Sequence, residues 1–294
     1  MSSKSTLSKA LAGHLSTSLL PGDPPFAAGA LDQAAAFVLA AATQREAGQP
    51  GIAIESIAGA ASERFMRIAL INDDMPFLVD SIAATVAAHG LAIDRLLHPV
   101  VAVRRDAAGK LTEVFDAQVS GEKRESMIYL ETERGDARVR RALEGALLAT
   151  LADVRAAVAD WPRMQEAMAA DADGVADGEG AALLRWFKDG MLTQLGHVTR
   201  QRDGSQSEAL GICKKSAKAL LAPASYDRAF AWFDGAGKGG ARVPLIIKSN
   251  LLANVHRRVP LDLFLIPVIE QGKVSALSVH AGVWTSAALS AAPD

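Results

Sequence analysis

Residues 64–72, RFMRIALIN, are a run of apolar and β-branched side chains, and the pattern then changes to a helical one, MPFLVDSIAATVAAHG, which stops at Gly90. That change of period, with Pro76 at the junction, demands a strand-to-helix turn and so a chain of mixed α and β structure. The turn carries Asn72, Asp73 and Asp74. Two explanations for these three residues stay open. They can accept hydrogen bonds from the first free N–H groups of the helix, whose first turn tolerates Pro76. Equally, a strand-to-helix turn with exposed N–H groups is a natural place for a ligand carboxylate. Asp80 lies more than a turn beyond Asp74 on the helix, so a pair of catalytic carboxylates is not supported.

The neighbouring segments extend the same alternation. FAAGALDQAAAFVLAAATQREAG puts Leu31, Ala35, Val38 and Leu39 at helical spacing before the stop signals Gly48 and Pro50. LAIDRLLHPVVAVRRD reads as a long strand bent at Pro99, DAAGK as a turn, and LTEVFDAQV and SMIYLETE as further strands. In the stretch from Asp136, Val139, Leu143, Leu147, Leu151 and Val154 recur at three- and four-residue steps and predict a long amphipathic helix. The order strand, helix, strand, strand, strand, helix points to an antiparallel α+β fold, close to a ferredoxin-like sandwich with helices packed on one face.

This first domain is expected over residues 26–168, behind a flexible, Ser-rich N-terminus of residues 1–25. AADADGVADGEG, residues 169–180, is rich in Asp, Gly and Ala and reads as a linker. Residues 181–294 then form a second α+β domain. It opens with the helix AALLRWFKDGMLTQLG and contains strand-like HVTRQR and ALGICKK and the helix SYDRAFAWF. It ends with the paired strands LDLFLIPVIE and KVSALSVHAGVW, joined by a hairpin at QGK.

Charge and composition narrow the function. A formal charge of −2, from 31 basic and 33 acidic residues mixed along the chain, gives no electrostatic footprint for nucleic acid or an anionic membrane. No apolar run approaches the ~20 residues that span a bilayer. A lone cysteine, Cys213, allows neither an internal disulfide nor a cysteine-built zinc site and suits a reducing, cytoplasmic setting. The thiol is expected inside a strand, as a small apolar residue.

GAGKGG, residues 235–240, matches G-x-G-x-x-G but follows a helix and precedes a strand, the reverse of a dinucleotide turn, and reads as a loop. The six histidines are scattered without ligand spacing, so no metal site is expected. A second candidate lies in IIKSNLLANVHRRVPLD, where Lys248, His256 and Arg257 make a local basic patch able to receive a carboxylate or phosphate, or simply a solvated face.

ALINDDMPFLVDSIAATVAAHGLAI resembles the first strand, loop and helix of ACT domains, small ferredoxin-like modules that often bind amino acids. It departs from them at Phe77, where glycine usually follows the proline. The ordered blocks NDDMPFLVDS, HPVVAVRRDAAGKL, ESMIYLE, AALLRWFKDGMLTQLG, IIKSNLLANVHRRVPLD and GVWTSAALS are similar to the N-terminal region of the large bacterial NAD-dependent glutamate dehydrogenases. The resemblance implies two ACT-like domains with no catalytic, cofactor-binding or metal-ligating residues of their own. It also implies a catalytic core and NAD elsewhere in the same parent chain, homo-oligomeric assembly, and an amino-acid effector at Asn72, Asp73 and Asp74. An architectural role without a small molecule is the alternative, and Phe77 favours it.

Overall fold

A computed structural model describes residues 4–58, 64–116, 119–235 and 243–290. The chain divides into two compact units, Met1–Leu148 and Ala149–Asp294.

The first unit begins with α1 (Lys4–Thr17) and α2 (Ala30–Ala42), followed by β1 (Gly51–Ala58), β2 (Arg64–Asp73) and α3 (Leu78–Ala88). Then come β3 (Ile93–Leu97), β4 (Val100–Arg105), β5 (Leu111–Val114), β6 (Lys123–Glu133) and the start of α4 (Ala137–Gly174). The sheet runs β1-β2-β6-β4-β5, with β3 also paired to β6, and every pairing is antiparallel. β3 and β4 follow one another along the same side of β6 and break at His98 and Pro99. Proline cannot donate to the ladder, but its carbonyl still accepts from the Met127 N–H at 3.0 Å, so the expected long strand survives as a bent pair.

β2 and β6 fill the middle of this sheet and are buried on both faces. Ala69, Ile71, Met127 and Tyr129 join one core with α1 and α2, while the alternate residues Met66, Ile68, Leu70, Ile128 and Leu130 are also buried. α1 and α2 cover one of these faces. Within the N-terminus expected to be flexible, the described residues from Lys4 onward depart most from expectation. Leu7, Leu11 and Leu15 recur every four residues in α1 and are buried in that core, and His14 bonds the Phe115 carbonyl at 2.8 Å. β1 was not anticipated from the sequence; it forms the edge beside β2.

α4 continues to Gly174, so residues 169–174 of the expected linker are helical, and Gly178 already opens α5 (Gly178–Trp186). The reason is packing: Met164, Met168 and Ala172 are buried, which outweighs the helix-weakening Asp and Gly composition. The units divide inside α4, at Leu148, and not at 169–180.

In the second unit α5 is followed by a wide turn, Phe187–Met191, where Gly190 takes φ 106 and turns the chain into β7 (Leu192–Gln201). The helix expected across residues 192–196 is thus strand. β8 (Gln206–Gly211), α6 (Pro223–Gly235), β9 (Leu245–Leu252), β10 (Pro260–Glu270), β11 (Lys273–Trp284) and α7 (Ser286–Ser290) complete the unit. At the β10–β11 hairpin Gln271 and Gly272 have φ 51 and 74, the positive pair that matches the strand twist. The sheet order is β8-β7-β11-β10-β9. A hairpin, a helix and a three-stranded meander build it, so this unit is antiparallel α+β, as expected. Hydrophobic periodicity reports elements and not the order in which they pair.

If α1 is part of the core, Leu11→Ala leaves a cavity and lowers stability by about 2–5 kcal/mol. Chemical denaturation checks this, since truncating a frayed terminus leaves the midpoint unchanged.

Candidate functional site

The strand-to-helix turn lies at one end of the first sheet, where β2, β4 and β6 bring their polar ends together. Asp73 stands opposite Glu125 in the β2–β6 ladder. Glu125 is fully buried, and Arg45, which follows α2, is buried beside it. One Arg45 nitrogen donates to both Asp73 Oδ1 and Glu125 Oε1 at 2.6 Å. Arg105, at the end of β4, grips both Glu125 oxygens, donating from Nε and Nη2 at 2.8 Å. Burial alone would raise the Glu125 carboxyl, but the hydrogen bonds and charges of Arg105 and Arg45 outweigh it and hold the group below its ordinary range. Arg45 is likewise disfavoured by burial as a charged group, yet Glu125 and Asp73 hold it above its usual value.

The turn expected at DAAGK seals this end. Asp106 Oδ1 accepts from the backbone N–H groups of Ala108 and Lys110 at 2.9 Å. Gly109 sits at φ 82, where a Cβ would meet the Arg45 carbonyl at 2.3 Å, so only glycine fits. An open cleft lies over the cluster, lined by Arg45, Asp73, Arg104, Arg105, Arg124 and Glu125 among others. Both signs of charge face it.

Asp74 is tied separately. Its carboxylate pairs with Arg124 at 2.9 Å and accepts from Ser126 Oγ at 3.1 Å, and Ser126 also bonds His98 Nε2 at 2.9 Å. Asn72 is buried and donates to the Asp73 carbonyl at 3.0 Å. Helix α3 has Phe77 as its N-cap residue, at φ 69, with no hydrogen bond from that side chain. Phe77 thus adopts the left-handed backbone that favours glycine, the residue usual at this place in ACT domains. The three candidates are brought together, and the carboxylates of Asp73 and Asp74 lie in ion pairs with arginines.

The second candidate patch is spread out. Lys248 on β9 pairs across the ladder with Asp262 at 2.6 Å, and Arg257 donates to the Trp284 carbonyl at the end of β11. His256 sits at φ 65 in the loop between β9 and β10. Cys213 lies in a short turn after β8, beyond the strand expected for it, and burial pushes its thiol up to about 12, far from a reactive thiolate. GAGKGG falls, after Gly235, outside the described residues.

Sequence reasoning missed a polar cluster in the second unit. β7 and β11 place His197 opposite His280, with ring centroids 4.6 Å apart. Asp171, on α4, accepts from His280 Nε2 at 2.6 Å and from Ser278 Oγ at 2.5 Å, and Ser278 meets His197 Nε2 at 3.0 Å. Burial, with His280 adding to it, lowers His197 to about 4.

Two measurements follow. Glu125→Ala strands two guanidinium groups and costs about 3–5 kcal/mol, whereas Asp73→Asn, at a side chain 35% exposed, costs much less; denaturant midpoints of the two variants separate them. For His197 the folded value, about 4, lies below the ordinary 6.5, so the unfolded chain binds the proton more tightly. Its contribution is fully present above pH 6.5 and is lost as pH falls toward 4, on the order of 3 kcal/mol. A pH series of unfolding free energies with chelator present shows this slope, and His197→Gln reduces it.

Comparison with known proteins adds a family signal to this geometry. Residues 24–147 match the family model described as the glutamate dehydrogenase ACT1 domain. A stretch of 101 residues is 39% identical to the NAD-specific glutamate dehydrogenase of Pseudomonas aeruginosa, covering 33% of this chain and 6% of that protein. A stretch of 168 residues is 31% identical to the NAD-specific glutamate dehydrogenase of Halomonas elongata, covering 49% of this chain and 10% of that protein. The chain thus spans a tenth or less of the length of these relatives. A solved RNA-binding light-oxygen-voltage receptor aligns over 92% of this chain and 85% of its own, at 11% identity and a TM-score of 0.19, too low to carry an argument.

Proposed function

Because residues 24–147 match the family model of the glutamate dehydrogenase ACT1 domain, we propose that this chain is the N-terminal regulatory and assembly segment of a large NAD-dependent glutamate dehydrogenase. The parent enzyme oxidatively deaminates L-glutamate to 2-oxoglutarate and ammonia in amino-acid catabolism, in the cytoplasm, as a homo-oligomer. NAD and the catalytic groups belong to a core elsewhere in the parent chain. The matched domain carries this reading, and the absence of a transmembrane candidate helix among the described residues is compatible with it.

The cleft beside Asp73 supports a small-molecule effector. A free amino acid carries a cation and an anion, and Asp73 and Glu125 stand there beside Arg45 and Arg105. One observation favours the purely architectural alternative: Phe77 puts a phenyl group at the turn where glycine would let a ligand approach the backbone.

A panel of amino acids, 2-oxoglutarate and nucleotides, screened by thermal unfolding, tests the proposal. One amino acid at a hundredfold excess over its dissociation constant is expected to add about 2.7 kcal/mol of stability. Asp73→Asn abolishes that gain. A flat response across the panel, with unchanged oligomeric assembly, removes the regulatory reading and leaves the architectural one.

A further inference from the structure

The reading above leaves the histidine cluster of the second unit without a role. Its three members come from three elements. His197 and His280 are cross-strand neighbours on β7 and β11, and α4 carries Asp171 to them. Phe264, opposite His280 on β10, belongs to the apolar core that Met168 and Ala172 of α4 complete. Two imidazoles and a carboxylate are thus set beside an otherwise apolar layer, where aliphatic side chains would pack without polar cost.

The cluster's own hydrogen bonds leave capacity unused. Asp171 Oδ2 takes both the His280 Nε2 and Ser278 Oγ contacts, and His197 reaches Ser278. His280 keeps a buried Nδ1 with no hydrogen-bond partner, although the residue is only 1% exposed. Buried polar atoms are rarely left this way in a purely structural network. A third observation is spacing: one nitrogen from each ring and one Asp171 oxygen all lie within 4.8 Å of one another.

From this geometry we propose that Asp171, His197 and His280 form a binding site for a divalent transition-metal ion of the zinc class. Two imidazole nitrogens and one carboxylate oxygen suit zinc, and not calcium or magnesium, which take oxygen ligands. Donors at 2.0–2.2 Å from a tetrahedral ion stand about 3.3 Å apart. With every spacing here within 4.8 Å, the widest closes by no more than about 1.5 Å, and the His280–Asp171 contact opens by less than about 1 Å. Each ring gives the ion the lone pair of one nitrogen, and the proton that His280 Nε2 shares with Asp171 moves to Nδ1 as the ion takes its place. Ser278 bonds both Asp171 and His197. Asp171 is partly exposed, which gives an ion a route in.

The test uses the 294-residue chain stripped with chelator and titrated with zinc and cobalt chloride. One equivalent is expected to bind, with the visible absorption of four-coordinate cobalt, and that absorption disappears in His280→Gln and in Asp171→Asn. Circular dichroism establishes that each variant is folded. Should a variant not fold, the wild-type imidazole resonances decide: on zinc addition those of His197 and His280 shift, and those of the other four histidines do not. Absence of stoichiometric binding, undiminished binding in a folded variant, or shifts confined to other histidines overturns the site.

Discussion

Glu125 is the point on which the polar end of the first unit depends. A carboxylate taken out of water is tolerable only when opposite charges and hydrogen bonds replace its hydration. Here Arg105 grips it with two nitrogens and Arg45 with a third. Those partners are attached to different pieces of chain: Arg105 closes β4, Arg45 follows α2, and Glu125 lies in β6. Satisfying one charge therefore fixes where three segments end. The turn after β2 inherits that order through Asp73, which shares Arg45 with Glu125. A ligand arriving at this turn would meet a set of charges already held in place.

Arg45 also explains why the DAAGK turn has one tolerated shape. Its backbone N–H donates to the Gly109 carbonyl at 3.1 Å, while its own carbonyl occupies the space a Cβ at Gly109 would take. Arg105 donates to the same Gly109 carbonyl at 2.8 Å. The hairpin between β4 and β5 is consequently bound into the charge cluster and is not a free surface loop. The chemistry of the cleft and the geometry of the hairpin are one arrangement.

The legible parts of this fold were those that local patterns encode. The period change at Pro76, the kink at Pro99, the DAAGK turn and the QGK hairpin each rest on a few neighbouring residues, and each is present. What stayed hidden depended on partners distant in sequence. α1 looked like a loose terminus because its stripe is only Leu7, Leu11 and Leu15, and its worth appears when the sheet receives it. β1 carries the alternating Ile52 and Ile54, a short signal that becomes a strand only by pairing with β2. The stretch after Met168 was misread for the opposite reason, because its composition suggests a linker while burial of Ala172 keeps it helical.

The histidines show the same limit at the level of chemistry. A metal-ligand motif is readable when one helix or loop supplies its ligands, since spacing then fixes geometry. Asp171 and His280 are 109 residues apart, and His197 and Ser278 are 81 apart. Only the β7–β11 register sets the two rings side by side, and only α4 aims Asp171 at them. Asp153, Asp160 and Asp171 lie along one stripe of that helix, Asp171 about five turns beyond Asp153. Asp153 holds Ser216, Asp160 holds the Gly211 N–H and Lys214, and Asp171 holds the histidine cluster. The three carboxylates do for the second unit what Glu125 does for the first. Asp153 takes a further donor from Asn254 Nδ2 at 3.2 Å, so two of the carboxylates are occupied by backbone and side-chain donors, whereas Asp171 meets two imidazole rings and is the position on the stripe from which the proposed ion would be held.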